Sequence, residues 1–148
     1  MGSSLADCRG GGVLALLHAA GAVESFVDAK LAAVGLSLPK LAALDRLIGA
    51  GGSLPLGQLA ERLACVKSNV TQLVDRLDAD GFVTREPDPN DRRSVLAVMT
   101  DAGRQAYEKG SRVHHEAERQ LFGALSPEDS ASLTLIIEKL TSARLDSR

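Results

Sequence analysis

The sequence predicts a mainly α-helical protein in which one β-hairpin interrupts a series of helices. Apolar residues make up 45% of the 148 residues, but only 3% are aromatic and Trp is absent, so Leu, Val and Ala must form the core. This composition favours helices, because Ala and Leu have high helix propensity. The length fits one compact domain, which we assign to residues 1–148.

The first two predicted helices follow from apolar spacing and from capping residues. Between Val13 and Val34, apolar residues recur close to every 3.6 positions, and others lie on further faces. A helix that is apolar on several sides buries more than one of them, which indicates a partner subunit. Gly35 is expected to end this helix. Ser37 is predicted to cap a second helix that runs to Ile48.

Two shorter helices are predicted next, over about Leu56–Leu63 and Lys67–Asp80. A tight turn at residues 64–66 separates them, and each has one apolar face. Gly81 ends the second of these helices at a position suited to positive φ.

The apolar period then changes from helical to alternating. Phe82–Glu86 and Ser94–Met99 are predicted strands, joined by the turn-rich segment Pro87–Arg93. Thr100 is expected to cap a long helix that ends near Phe122, and Ser126 a final helix.

Two short helices joined by a tight turn, followed by a glycine and a hairpin, form a helix-turn-helix with a wing. Such a unit fits B-DNA, because the major groove admits one helix and a basic hairpin can reach the neighbouring minor groove. The second short helix presents polar side chains suited to base or phosphate contacts: Lys67, Ser68, Asn69, Thr71, Gln72 and Arg76. The wing adds Arg85, Arg92 and Arg93. We interpret Asp91 as a residue that orients a wing arginine or pairs with Arg76.

The charge balance keeps a second interpretation open. The formal net charge is −2, and between Leu56 and Thr100 six basic residues face seven acidic ones. DNA affinity must therefore come from the placement of charges, and we expect it to be sensitive to salt. The alternative is a winged-helix protein-interaction module that does not bind DNA.

Several other classes of function find no support in the sequence. It contains no nucleophile elbow, no phosphate-binding glycine loop and no H-E-x-x-H motif, so we expect no enzyme and no cofactor. The adjacent residues His114 and His115 point about 100° apart on a helix, so we expect no metal site.

The expected location is the cytoplasm, with no membrane association. The two cysteines form no C-x-x-C pair, as expected of reduced thiols. No secretion signal is evident, and the apolar run Val13–Ala22 is too short to span a bilayer.

Specific motifs between Gln58 and Gly103 carry a family resemblance. They are Val74-Asp75-Arg76-Leu77, then Gly81-Phe82-Val83 with Arg85, then Asp91-x-Arg93 followed by Met99-Thr100 and Gly103. In these residues the sequence resembles the MarR (multiple antibiotic resistance regulator) family. It departs from the family pattern at Lys67, where Ser or Thr is usual, and at Pro55, where a capping Thr is usual. We therefore expect Ser68 to cap the DNA-reading helix.

The resemblance implies a transcriptional regulator, with repression the expected mode. It implies a homodimer held by residues 1–36 and 101–148, with a winged helix-turn-helix lobe at residues 37–100. Two recognition helices would enter successive major grooves of a pseudo-palindromic operator in double-stranded DNA.

Many family members release DNA when a small phenolic or lipophilic ligand binds, or when a cysteine is oxidised. The candidate ligand pocket lies among the first helix, the second helix and the start of the long helix, lined by Phe26, Leu41, Leu44 and Tyr107. Core packing explains these four residues equally well. Cys8 and Cys65 are the candidate redox residues.

Overall fold

The computed structural model describes residues 12–63 and 69–145. Within them the elements are α1 (Gly12–Ala32), α2 (Leu38–Gly49), β1 (Ser53–Pro55), α3 (Leu56–Arg62), α4 (Val70–Ala79), β2 (Val83–Asp88), β3 (Asp91–Met99), α5 (Asp101–Phe122) and α6 (Pro127–Leu145). The chain divides into two compact units, residues 1–114 and 115–148. The mainly α fold with a single hairpin is thus confirmed.

Helix α1 buries only the end nearer α2. Val27 and Leu31 are buried, whereas the large apolar side chains between residues 13 and 23 are 41–71% exposed: Val13, Leu14, Leu16, Leu17 and Val23. By length and composition alone, α1 is long and apolar enough to cross a membrane. The apolar run Val13–Ala22 is too short to span a bilayer, as predicted, but the 21-residue helix is not.

The start of α2 is capped from two directions. The Ser37 hydroxyl accepts a hydrogen bond from the backbone N–H of Lys40 at 3.4 Å, as predicted for an N-cap. The carboxylate of Asp28, on α1, accepts the N–H of Leu38 at 2.7 Å. Gly35 between the two helices has a φ of 75°, a left-handed conformation that favours glycine. These contacts fix the path of the chain from α1 into α2.

The core of the first unit lies among α2, α3, α4 and the sheet. Leu44, Leu47, Leu59 and Leu77 are fully buried there. Helix α3 is short and begins directly after Pro55, which makes no side-chain cap hydrogen bond. The side chains of the core hold α4 from one side only, which leaves its opposite face exposed.

The sheet has three antiparallel strands in the order β1-β3-β2. The hairpin strands extend further than predicted, so that Asp88 pairs with Asp91 and only Pro89 and Asn90 form the tip. Strand β1 was not predicted from the sequence. It contains three residues, and it exists because Leu54 pairs with Ala97 of β3. A strand this short has no period of its own to detect.

The first turn of α5 is fastened to the end of α4. The Thr100 hydroxyl accepts the N–H of Gly103 at 3.0 Å, which confirms the predicted cap, and donates to the carbonyl of Gly81 at 2.6 Å. A Cβ atom at Gly103 would collide with the backbone carbonyl of Phe82. Glycine is therefore required at residue 103 for the close approach of α5 to the wing.

Helix α6 belongs to the second unit and begins with a reciprocal cap. The Ser126 hydroxyl accepts the N–H of Asp129 at 3.1 Å, and the Asp129 carboxylate accepts the N–H of Ser126 at 3.4 Å. Along α6 the large apolar side chains are 37–54% exposed: Leu133, Leu135, Ile136, Ile137 and Leu140. The single chain thus leaves much of this apolar surface uncovered.

Candidate nucleic-acid interface

Helix α4 starts later than the sequence predicted. The predicted start was Lys67, with Ser68 as the cap, but Asn69 has an extended backbone (φ −81°, ψ 111°) and caps a helix that begins at Val70. The Asn69 Oδ1 atom accepts the N–H of Gln72 at 3.3 Å. Asn is among the strongest N-cap residues, which explains the later start. Lys67 and Ser68 themselves lie outside the described residues.

The faces of α4 separate cleanly into buried and exposed side chains. Leu73, Val74 and Leu77 are buried, whereas Thr71 and Gln72 point away from the core and are exposed. Asn69 is exposed as well, but its cap already uses the oxygen that a two-bond contact with adenine would need. Base contact and capping therefore compete at Asn69, and they do not compete at Thr71 or Gln72.

Arg85 lies on β2 and reaches across to α4. Its guanidinium donates to the carbonyl of Thr71 at 3.3 Å and forms an ion pair with Asp75 at 2.5 Å. The arginine thus contacts the helix at two levels, one turn apart. It links the wing to α4, a role that the sequence did not indicate.

The tip of the wing is shaped by two carboxylates that accept backbone N–H groups. Asp88 accepts the N–H of Asn90 at 2.9 Å, and Asp91 accepts the N–H of Arg93 at 2.9 Å. Asp91 therefore bonds to the backbone of Arg93 and not to its guanidinium. The side chains of Arg92 and Arg93 are exposed, and no ion pair joins them to another described residue.

A groove of about 240 Å³ separates the start of α2 from the exposed side of α4. Its lining includes Ser37, Lys40, Gln72 and Arg76. Lys40, which lines this groove, forms an ion pair with Asp80 at 2.6 Å. Lys40 was not predicted from the sequence, because no local pattern relates two residues that are 40 positions apart.

Four of the seven acidic residues between Leu56 and Thr100 are engaged with protein groups. Asp75 and Asp80 pair with Arg85 and Lys40, and the two wing carboxylates accept backbone N–H groups. Each of the two ion pairs also engages one cation, so the pairs leave the near-even charge balance of the exposed surface unchanged, and Glu61, Asp78 and Glu86 are exposed on it as well. Arg76, Arg92 and Arg93 remain exposed on it.

The four residues predicted to line a ligand pocket lie on α1, α2 and α5. Leu44 is fully buried and Leu41 is 7% exposed, so a ligand that contacts Leu44 has to displace core side chains. Phe26 and Tyr107 are half-buried. The Tyr107 hydroxyl donates to the carboxylate of Asp45 at 2.9 Å.

The hydrogen bond to Asp45 raises the pKa of the Tyr107 phenol. Partial burial and the negative charge of Asp45 raise it further, whereas a hydrogen bond with Ser111 acts in the opposite direction. This polar pair connects α2 to α5 within the first unit. Tyr107 was a candidate residue from the sequence, whereas its partner Asp45 was not.

The structure adds little about the candidate redox and metal sites. Cys8 and Cys65 lie outside the described residues. Among residues 12–63 and 69–145, no group of three or more His, Cys, Asp or Glu side chains is placed to hold a metal ion.

The buried contacts of α3 and α4, the exposed polar face of α4 and the adjoining hairpin with its exposed arginines together define a winged helix-turn-helix protein. Comparison with known sequences narrows this class. The MarR family model matches residues 36–95. The helix-turn-helix-type transcriptional regulator YkoM of Bacillus subtilis is 35% identical over 105 residues, which cover 71% of this chain and 68% of YkoM. The chain belongs to the MarR family of transcriptional regulators.

Solved structures give the same result. A transcriptional regulator from Pseudomonas aeruginosa is 30% identical, with a TM-score of 0.77 over 93% of this chain and 99% of that one. Sco3205, a MarR family regulator of Streptomyces coelicolor solved in complex with DNA, is 27% identical, with a TM-score of 0.74 over 86% and 82% of the two chains. The predicted family is thus confirmed, and a winged helix without DNA binding is not favoured.

Proposed function

We propose that this protein is a homodimeric, sequence-specific repressor that binds a pseudo-palindromic operator through α4 and the wing. The observation that carries the proposal is the exposure of Thr71, Gln72 and Arg76 on the same lobe as the exposed arginines of the wing tip. A helix with such side chains can contact base edges in the major groove. Arginines at a hairpin tip can contact phosphates or the minor groove.

Homodimerisation would cover the apolar surfaces that the single chain exposes. The first half of α1 and much of α6 carry side chains that are 37% or more exposed. Contiguous apolar patches of this kind mark interaction sites. A dimer of this kind also accounts for the apolar character of α1, so we place the protein in the cytoplasm with no membrane span.

Repression requires only that the protein occupy its operator. Activation needs an additional contact with the transcription machinery, which repression does not require. We assign no enzymatic role, because the exposed polar side chains of the lobe are of the kinds that contact DNA bases and phosphates.

Control by a small phenolic or lipophilic ligand completes the proposed function. The site would lie beside the Tyr107–Asp45 pair, with Phe26 and Leu41 as apolar neighbours. A ligand can release DNA only if it binds better to a conformation in which the two recognition helices are wrongly spaced. Phenol is a suitable first probe: it should lower operator affinity of the wild type and have a weaker effect on Asp45→Ala. Equal effects on both would contradict this site.

The first test of DNA binding concerns the wing. We expect the double variant Arg92→Ala/Arg93→Ala to lose about tenfold or more in operator affinity. The slope of log affinity against log salt should become shallower by about 0.9 for each phosphate contact removed. Fluorescence anisotropy with DNA from beside the protein's own gene, and with shuffled DNA, measures both quantities.

Two control variants sharpen this experiment. Arg92→Lys/Arg93→Lys keeps the charge and should retain most of the salt dependence. Arg112→Ala removes an exposed arginine of α5, outside the lobe, and should leave the affinity unchanged. If the wild type binds neither DNA at low salt, the proposed function is wrong and a protein-interaction module becomes the better interpretation.

A further inference from the structure

The acidic residues of α4 need an explanation, because this helix is proposed to approach the phosphates of DNA. Three carboxylates, Asp75, Asp78 and Asp80, lie on or directly after α4. A carboxylate near phosphates is repelled, so each one weakens non-specific attraction. Asp75 and Asp80 each have a cationic partner on another element, whereas no ion pair joins Asp78 to another described residue.

We propose that Asp75 and Asp80 are positioning residues, which hold α4 at the angle and depth that base contact requires. Asp75 fastens the middle of α4 to Arg85 on β2, and Asp80 fastens its end to Lys40 on α2. The helix is thereby held from the wing on one side and from α2 on the other. This inference rests on the proposed function, since it concerns how the lobe recognises an operator.

The geometry of the Arg85 contact supports this role. The same guanidinium binds the Asp75 carboxylate and the backbone carbonyl of Thr71. It thus spans one turn of the helix and connects the backbone of a predicted base-reading residue to the wing. A rotation of α4 about its axis has to break at least one of these two bonds.

The Lys40–Asp80 pair fixes the other end. The Lys40 Nζ and Asp80 Oδ2 atoms are 2.6 Å apart. The two side chains are 20% and 35% exposed, so this pair is more shielded from water than the Arg85–Asp75 pair. Asp80 is the C-cap residue of α4, where the chain turns into Gly81 and the hairpin. The pair therefore holds the junction between helix and wing.

A positioning role of the aspartates and a purely electrostatic effect of their charge predict opposite changes in DNA binding. Replacing any of the three aspartates with Ala removes one negative charge from the interface, which by itself should tighten binding to all DNA. Specific recognition is different, because it needs side chains placed within a fraction of an ångström. Loss of a positioning acid should therefore lower the preference for the operator even though the lobe becomes more positive.

The experiment compares Asp75→Ala, Asp80→Ala and the matched control Asp78→Ala. Asp78 is exposed, and no ion pair joins it to another described residue. Anisotropy titrations against operator and shuffled DNA give the ratio of the two affinities for each variant. We expect this ratio to fall about five- to tenfold for Asp75→Ala and Asp80→Ala and to stay unchanged for Asp78→Ala. Asp80→Glu, which keeps a carboxylate, should recover most of the ratio.

A measurement without DNA makes the inference independent of the operator. Amide hydrogen exchange in α4 should accelerate in Asp75→Ala and Asp80→Ala and remain at the wild-type rate in Asp78→Ala. Equal exchange and equal affinity ratios in all three variants would overturn the inference and leave the proposed function intact. A wild type with no preference for any operator would overturn the proposed function, and the exchange rates would still decide whether the two acids hold the helix.

Discussion

Tyr107 forms a contact between α2 and α5 that can be measured directly. Its hydroxyl donates to Asp45, and this hydrogen bond is the main cause of its raised pKa. The chain contains one tyrosine and no tryptophan. Ionisation of this single phenol can therefore be followed by ultraviolet absorbance without interference from other residues.

We expect the phenol of the folded protein to titrate above the ordinary tyrosine pKa of about 10. Because the folded-state pKa is raised, the stability that the hydrogen bond contributes is fully present below about pH 10 and is lost as the pH rises through the raised value. A pH titration of phenolate absorbance, repeated in denaturant, measures the difference. Asp45→Asn should bring the folded value back towards that of the unfolded chain, and equal midpoints in both states would contradict the contact.

At the scale of elements, α4 shows that one residue can serve two purposes. Asn69 caps the helix through its Oδ1 atom and is also exposed where DNA would bind. From the sequence, Asn69 was expected only to contact DNA, because the cap was expected at Ser68. The structure gives it a structural role, which a substitution can separate from a role in DNA recognition.

Asn69→Asp should separate the two roles. Asp caps helices as well as Asn does, so the free energy of unfolding should change little, whereas Asn69→Ala should lower it by about 1 kcal/mol. The added negative charge of Asp faces the proposed DNA surface and should weaken operator binding. Thermal unfolding and anisotropy on the same samples measure both effects. Unchanged operator affinity in Asn69→Asp would remove Asn69 from the proposed interface.

At the scale of the whole molecule, the uncovered apolar side chains of α6 matter most. Ile136 is 54% exposed and Leu140 is 53% exposed in the single chain. Exposure of neighbouring large aliphatic side chains is unfavourable in water and is relieved when a second subunit covers them. We therefore expect this surface of α6 to form part of the interface of the proposed dimer.

Ile136→Glu should shift the protein from dimer to monomer, because a charge buried in an apolar interface costs several kcal/mol. Analytical ultracentrifugation gives the molecular mass directly. Ser142→Glu is the matched control and should remain dimeric, because Ser142 is exposed on the side of α6 opposite Leu133 and Leu140. Loss of the dimer should also lower operator affinity, since the two recognition helices of a dimer bind the operator together. A dimeric Ile136→Glu protein would show that α6 does not form the interface.

The sequence by itself determined the order of the helices, the hairpin and the main caps. Helical and alternating periods identified the elements because each is a local pattern, and Ser37, Thr100 and Ser126 act as caps within three residues of their partners. The motifs from Val74 to Gly103 sufficed for the family. The polar residues of α4 and the wing were identifiable for the same reason, since exposure follows from the period.

Only the tertiary structure decided which of these polar residues hold the lobe together. Strand β1 depends on its pairing with β3, and the contacts of Arg85 with α4 and of Lys40 with Asp80 join residues far apart in the chain. No spacing rule relates such residues, because their distance is set by how separate elements pack. The charge count of the sequence was therefore correct as a count, but it did not reveal that two carboxylates on or next to the recognition helix are engaged by neighbouring elements.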